Sequence, residues 1–287
     1  YQNTLVLSTA GGRMVDATSN LPQQFDQTHS VAAADIDADG DVDLYVGNLG
    51  PEPPEILLND GTGGFEVAVG LLPPAQRDLS KNWYTTCEFA DVNNDTFPDL
   101  VLGQGDANRD SHVLLNDGTG HFAKMDTPLP PTILAPNQQI LDIKAADTSG
   151  DGYMDLFLLD TLNTYSGRYI QILISNGDGT FRDETPARLS QAMNAEPSIR
   201  FLGLLDLDYD GDVDLVGYAW EGGHPFYLND GRGYFHPWDK GFVIHGHVFA
   251  LLDVTGDGRR DIVLGWSAGG GEPERYLMFR DKGWAGE

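Results

Sequence analysis

Cysteine is almost missing. Cys87 is the single one among 287 residues, so no disulfide framework can form within one chain. Basic residues are scarce as well: 17 Lys and Arg stand against 44 Asp and Glu, giving a formal net charge of −27 and a pI near 4.2. Neutralising phosphates needs clustered Lys and Arg, so this balance excludes nucleic acid as a partner and disfavours anionic membranes for the same reason. No apolar run reaches the roughly 18 residues that mark a membrane span, so membrane insertion is not expected. No secretory leader is recognisable, and the chain opens at Tyr1 rather than Met, as a processed or excised chain would. Helical periodicity is absent beyond short stretches such as residues 187–195. Such acidity can signal disorder, but 40% hydrophobic and 10% aromatic residues are too many for that. The acid must be held within a fold, by solvent or by cations. A secreted chain without disulfides needs another staple, and metal ions supply one. The expected location is secreted, periplasmic or on the cell surface.

What is present is a repeat. Five segments align: residues 31–48 (VAAADIDADGDVDLYVGN), 87–104 (CEFADVNNDTFPDLVLGQ), 143–160 (IKAADTSGDGYMDLFLLD), 202–219 (LGLLDLDYDGDVDLVGYA) and 249–266 (FALLDVTGDGRRDIVLGW). Their first aspartates, Asp35, Asp91, Asp147, Asp206 and Asp253, are 56, 56, 59 and 47 residues apart. A period near 50 residues points to propeller blades or a solenoid. A second repeat interleaves with the first: ILLNDGTGGFEV from Ile56, VLLNDGTGHFAK from Val113, ILISNGDGTFRD from Ile172 and FYLNDGRGYFHP from Phe226, with degenerate copies from Leu5 and Tyr276. Gly-rich turns between β-like runs read as hairpins. One unit is therefore two hairpins, or four strands. Repeated about five times, it predicts an all-β fold, a β-propeller of about five four-stranded blades in a single domain over residues 1–287. The segment 12–18 is expected to close the last blade; a sixth, partial blade is the alternative.

Between strands one and two of each unit runs a nine-residue loop of the form Asp-x-[Asp/Asn/Ser/Thr]-x-Asp-x-x-x-Asp. Calcium takes six to eight hard oxygen ligands. Side-chain oxygens at positions one, three, five and nine, with the carbonyl of position seven, would wrap one ion, and glycine at position six relieves the bend. The expected ligands are Asp35, Asp37, Asp39, Asp41 and Asp43 in the first loop, and Asp91, Asn93, Asp95, Phe97 and Asp99 in the second. The third offers Asp147, Ser149, Asp151, Tyr153 and Asp155, and the fourth Asp206, Asp208, Asp210, Asp212 and Asp214. The fifth offers Asp253, Thr255, Asp257, Arg259 and Asp261. The loops hold 19 of the 44 acidic residues, which would repel one another without cations. About five calcium ions are expected. The second loop has Thr96 where glycine is preferred, and the third and fifth replace an acid by a hydroxyl, so weaker binding is expected in these three.

The segments DIDADGDVDLYVGN and LLNDGTGGFE resemble FG-GAP/VCBS repeats, similar to the propeller of integrin α subunits and to bacterial and fungal propellers. The resemblance covers nearly the whole chain, although the FG and GAP tripeptides themselves are poorly kept. It implies a β-propeller with structural calcium in hairpins on one face. Members of the family include adhesion receptors, lectins and domains of carbohydrate-active enzymes, so the resemblance fixes fold and metal better than ligand.

The opposite face carries the two-to-three loops and the connections between units, where binding residues tend to gather on a rigid scaffold. Trp83, Tyr84, Arg200, Trp220, Glu221, His247 and Trp266 fall there and are the candidate ligand-binding residues; aromatic platforms beside polar groups suit sugars. Arg200 and His247 each lie six residues before the first Asp of their loops. The expected function is a monomeric, calcium-stabilised extracellular module binding carbohydrate or a protein partner on a surface or matrix. The alternatives are a polysaccharide lyase or hydrolase, and a spacer domain. No nucleophile elbow, zinc motif or phosphate loop is present. Cys87 reads as a small buried hydrophobe.

Overall fold

The structure is a computed structural model. It describes residues 2–24, 26–49, 52–78, 83–106, 110–131, 134–190, 199–218 and 225–238, and the backbone alone of residues 219, 248–252, 261–266 and 275–279. A short hairpin of β1 (Val6–Ser8) and β2 (Met14–Asp16) comes first. Four four-stranded sheets follow, each an antiparallel meander in chain order. The first takes β3 (Thr28–Ala34), β4 (Asp43–Asn48), β5 (Glu55–Asn59) and β6 (Phe65–Ala68); the second takes β7 (Tyr84–Ala90), β8 (Asp99–Gln104), β9 (His112–Asn116) and β10 (Phe122–Lys124). The third is β11 (Gln138–Ala146), β12 (Asp155–Leu162), β13 (Tyr169–Ser175) and β14 (Phe181–Asp183), followed by a one-turn helix, α1 (Thr185–Arg188). The fourth is β15 (Ile199–Leu205), β16 (Asp214–Ala219), β17 (Phe226–Asn229) and β18 (Phe235–Pro237). β19 (Val248–Leu252), β20 (Asp261–Trp266) and β21 (Arg275–Phe279) make a three-stranded fifth sheet.

The fold is all-β and propeller-like: among the described residues, the second and third sheets bury both faces against their neighbours. On the second sheet, Leu100, Leu102 and Leu114 pack back onto Ala32, Tyr45 and Ile56 of the first. The alternate residues Val101 and Val113 pack forward onto Ile143, Leu156 and Leu173 of the third. Phe157, Ile170 and Ile172 then face Leu202, Leu215 and Tyr227 of the fourth. Strand alternation thus sends successive side chains into two different inter-sheet cores. It explains why β13 is buried along its whole length.

Each of the first four sheets has a register break in its first strand, at His29, Thr85, Leu141 and Arg200. All four lie six residues before the first Asp of the loop. A β-bulge re-aims a side chain, and here it ties neighbouring sheets: His29 Nδ1 donates to the Thr85 carbonyl at 2.7 Å, and Thr85 Oγ1 to the Ile140 carbonyl at 2.5 Å.

The N-terminal segment departs from expectation. β2 pairs with β1, in a sheet of its own, and not with the fifth sheet. The hairpin packs instead on the first sheet, where Leu5 and Leu21 meet Val46 and Leu57.

Candidate metal centres and the loop face

In all four fully described loops the chain takes left-handed backbone at positions four and six. The φ values are 63°, 62°, 72° and 64° at Ala38, Asn94, Gly150 and Tyr209, and 94°, 78°, 90° and 99° at Gly40, Thr96, Gly152 and Gly211. That backbone curls the loop so that its own N–H groups meet its carboxylates. The position-one aspartate accepts the position-six N–H in every loop, at 3.0, 2.8, 2.9 and 3.2 Å. The position-five aspartate accepts the position-seven N–H, at 2.9, 2.9, 3.0 and 2.9 Å.

The ninth aspartate also makes a second set of hydrogen bonds. Asp43, Asp99, Asp155 and Asp214 are buried. Their Oδ2 atoms accept the N–H of loop position two (Ile36, Val92, Thr148 and Leu207) at 3.2, 3.1, 3.2 and 2.7 Å. Their Oδ1 atoms accept the N–H that ends strand three (Asn59, Asn116, Ser175 and Asn229) at 2.8, 2.8, 3.1 and 2.8 Å. This carboxylate is a strut between the two hairpins of a unit. Burial pushes the Asp99 carboxyl up to about 7 and that of Asp214 to about 6, and raises Asp43 and Asp155 too, against the opposing backbone hydrogen bonds.

Two clusters fit a cation. Carboxylate oxygens of Asp35, Asp37 and Asp39 lie within 4.8 Å of one another, as do those of Asp206, Asp208 and Asp210. In these loops Asp35 Oδ1 and Asp206 Oδ1 are buried without a hydrogen-bond partner, and so is Ser149 Oγ in the third. A buried anionic oxygen that meets no donor is costly, and a hard cation is what satisfies it. The donor set therefore fits calcium at positions one, three and five. In the second loop the Asn93 amide is turned the other way, donating through Nδ2 to Asp95 Oδ2 at 2.9 Å. Of the fifth loop, Asp253, Thr255, Asp257 and Arg259 lie outside the described residues, as does the side chain of Asp261.

Position seven turns its side chain onto the neighbouring Gly-rich turn. A Cβ built on Gly118 would lie 2.5 Å from the Phe97 ring, and one on Gly177 2.7 Å from that of Tyr153. Asp41 and Asp212 cover Gly61 and Gly231 in the same way. Their carboxyls are raised by desolvation first and then by the surrounding acids, Asp39 and Asp210 foremost. The turns also cross-link the loops. Asn116 Nδ2 donates to the Ile36 carbonyl at 2.8 Å, and Asn229 Nδ2 to that of Thr148 at 2.9 Å, each in the loop of the preceding sheet.

Of the sequence-predicted ligand residues, the structure describes Trp83, Tyr84 and Arg200 in full and Trp266 by its backbone. Trp83 is 43% exposed. Tyr84 is buried edge-on to His112, with ring centroids 5.1 Å apart. Burial holds His112 down at about 4, so it is neutral near pH 7, and Gln76 Nε2 meets its Nε2 at 3.0 Å. Arg200 sits exposed on the bulge of β15. Trp266 ends β20, paired with Arg275. Trp220, Glu221 and His247 lie outside the described residues.

A cleft of about 260 Å³ opens instead between the second and third sheets. It lies at the strand ends remote from the Asp loops, because Gln104 ends β8 while the loop precedes that strand. Gln104, Asp110, Ser111, Gln138 and Gln171 give it polar groups, and Leu129 among four prolines gives it an apolar wall. Gln171 Nε2 is held by Asp183 Oδ2 at 2.9 Å and by the Pro130 and Pro131 carbonyls, whereas its buried Oε1 has no protein donor. The run Pro128–Leu129–Pro130–Pro131 was the signal in the sequence: such a segment makes a stiff extended wall.

No curated protein matches the chain by sequence. Solved structures share its fold at low identity. A lectin of Agrocybe aegerita that recognises non-reducing terminal N-acetylglucosamine is 21% identical, with a TM-score of 0.54 over 87% of this chain and 66% of its own. The exotype rhamnogalacturonan lyase YesX is 13% identical, with a TM-score of 0.51 over 97% of this chain and 50% of its own. A rhamnogalacturonan lyase of Bacillus licheniformis is 12% identical, with a TM-score of 0.50 over 96% and 51%. The chain spans between half and two thirds of the length of these structures. Three successive stretches, residues 35–102, 91–158 and 150–217, match the family model for the FG-GAP-like repeat. They cover more than half of the sequence and coincide with the Asp-loop units, and the chain belongs to the FG-GAP-like repeat family.

Proposed function

We propose that this chain is a calcium-stabilised binding module, working outside the cytoplasm, that takes carbohydrate in the cleft between its second and third sheets. The observation that carries the reading is a cleft that sets amide and carboxylate groups against a wall of leucine and proline. A sugar ring matches that surface, with apolar C–H faces for the wall and hydroxyl donors for the amide oxygens. The described lining holds Asp110 and no Lys or Arg, which favours a neutral sugar over an acidic one. The likeness in fold to a lectin and to polysaccharide lyases supports the same class of ligand. The cleft's described lining has one carboxylate, Asp110, where acid–base cleavage of a glycosidic bond uses two, so binding is preferred over hydrolysis. Calcium at the remote face would hold the hairpins in register, and an extracellular location supplies the ion at the concentration that modest sites need.

A glycan array probed with the calcium-loaded chain tests this. Selective binding of neutral glycans, weakened by Asp110→Ala with an unchanged melting temperature, is expected. A folded, calcium-loaded sample that binds no glycan would remove the carbohydrate reading in favour of a protein partner or a spacer role.

A further inference from the structure

Residues 5–21 repeat the strand register and the exit hydrogen bonds of the second half of a repeat unit. β1 and β2 pair as Val6–Asp16, Leu7–Val15 and Ser8–Met14, the register of Leu57–Val67, Leu58–Glu66 and Asn59–Phe65 in β5 and β6. The exit from the hairpin copies that of the third sheet. The Thr18 N–H donates to Asp16 Oδ1 at 2.9 Å, as that of Thr185 does to Asp183 Oδ1 at 2.9 Å. Thr18 Oγ1 accepts the Leu5 N–H at 3.2 Å, as Thr185 Oγ1 accepts that of Ile172 at 2.8 Å. Asn20 then reaches the Gly63 carbonyl in the turn of the next sheet, as Arg188 reaches that of Arg232. β1 and β2 are therefore a third and a fourth strand, docked on the first sheet in the place that such strands occupy elsewhere.

The inner half of that docking face stays open. At the residue four before the first Asp, Cys87, Ile143 and Leu202 are 5%, 0% and 3% exposed, each turned toward the preceding sheet, while Val31 is 53% exposed. Leu44 is partly exposed where Leu100, Leu156 and Leu215 are fully buried. Val31, Leu44, Val46 and Leu57 line a groove of about 290 Å³ with Leu5 and Leu21. Beside it, the edge of β1 away from β2 pairs with no strand among the described residues, although in every complete sheet that edge of the third strand takes the second strand.

We propose that this groove and this edge together bind a two-stranded β-hairpin of the kind that opens each repeat, which completes a four-stranded sheet with β1 and β2. The hairpin's second strand adds to β1 by backbone hydrogen bonds, and its apolar side fills the groove. A hairpin is the occupant because the same face of the next three sheets is covered by the first two strands of a repeat as well as by its last two. A second copy of the whole chain is disfavoured by its charge of −27.

The test adds a peptide of residues 84–104, the opening hairpin of the second unit, to the full chain in calcium, followed by calorimetry and hydrogen exchange. One peptide per chain is expected to bind, slowing exchange over residues 4–8. Val31→Lys, on an exposed position, should weaken binding at least about tenfold, and Val69→Lys, exposed elsewhere, should not. A second arm joins residues 84–104 to the N-terminus through a flexible linker, so that the hairpin need not fold free in solution. A melting temperature raised by several degrees, and returned to the starting value by Val31→Lys, supports the proposal. No rise in the tethered chain, peptide binding indifferent to Val31→Lys, or a dimer of the chain alone that protects residues 4–8 would each overturn it.

Discussion

Replacing Asp99 by Ala separates the strut of a loop from its candidate calcium ligands. Asp99 is fully buried, and its two oxygens accept the N–H groups of Val92 and Asn116 at 3.1 and 2.8 Å. Removing the carboxylate leaves two buried donors without an acceptor. Each costs about 1–3 kcal/mol, so the loss should centre near 4 kcal/mol. At about 2–4 °C per kcal/mol for a chain of this size, the melting temperature should fall by roughly 8–16 °C. Urea unfolding of both proteins in EDTA, and again in millimolar calcium, measures it. The loss should persist in EDTA, because the struts carry it without metal. Asp41→Ala, whose carboxylate covers Gly61, should not lower the urea midpoint in EDTA. A loss below about 1 kcal/mol for Asp99→Ala, or one seen only with calcium, would refute the strut and make Asp99 simply a ligand.

Three further outcomes are expected. Without calcium the chain should melt higher at pH 5 than at pH 8. The buried ninth aspartates hold their protons more tightly folded than unfolded, so the stability they give is full below about pH 4 and lost as pH rises through the 6–7 range of Asp214 and Asp99; a melting temperature that climbs with pH in EDTA would contradict this. Thr96→Gly should stabilise the second loop by roughly 1 kcal/mol, since a β-branched residue at φ 78° is strained, and an unchanged unfolding midpoint would show that the strain is absent. Cys87, 5% exposed with its thiol pushed up to about 12 by burial, should react with iodoacetamide only in denaturant; labelling of the native chain within minutes would contradict its burial.

The units and their Asp loops were legible in the sequence because two periodicities coincide there. The near-constant spacing from Asp35 to Asp206 marks the unit, and the Asn-Asp-Gly turns mark the second hairpin within it. The role of the ninth aspartate was not legible. Its burial comes from a strand-three N–H some 16 residues away, as at Asn59 for Asp43, and the spacing of carboxylates is the same for a ligand as for a strut. Nor was the left-handed turn at position four, since Ala38 and Tyr209 give no hint of positive φ. The closing role expected for residues 12–18 failed because a third-and-fourth-strand pattern fixes a hairpin's internal register and not the sheet it joins. Of the aromatic residues chosen for the ligand face, Trp83 is exposed and Tyr84 is buried, while Trp220 and the side chain of Trp266 lie outside the described residues. Tyr84 went into the core beside His112, while the cleft is made of glutamines and prolines that belong to two different units. A site assembled across a sheet boundary leaves no local motif.

The account rests most heavily on calcium in the Asp loops, and calorimetric titration of the chelator-stripped chain tests it most directly. Saturable binding of at least two ions is expected, for the clusters at Asp35, Asp37 and Asp39 and at Asp206, Asp208 and Asp210. One should be lost in Asp37→Asn and the other in Asp208→Asn, and at a hundredfold excess over Kd each site should add about 2.7 kcal/mol of stability. A chain that takes up no calcium at millimolar concentration, or whose binding survives both substitutions together, would contradict the assignment of these loops as metal centres.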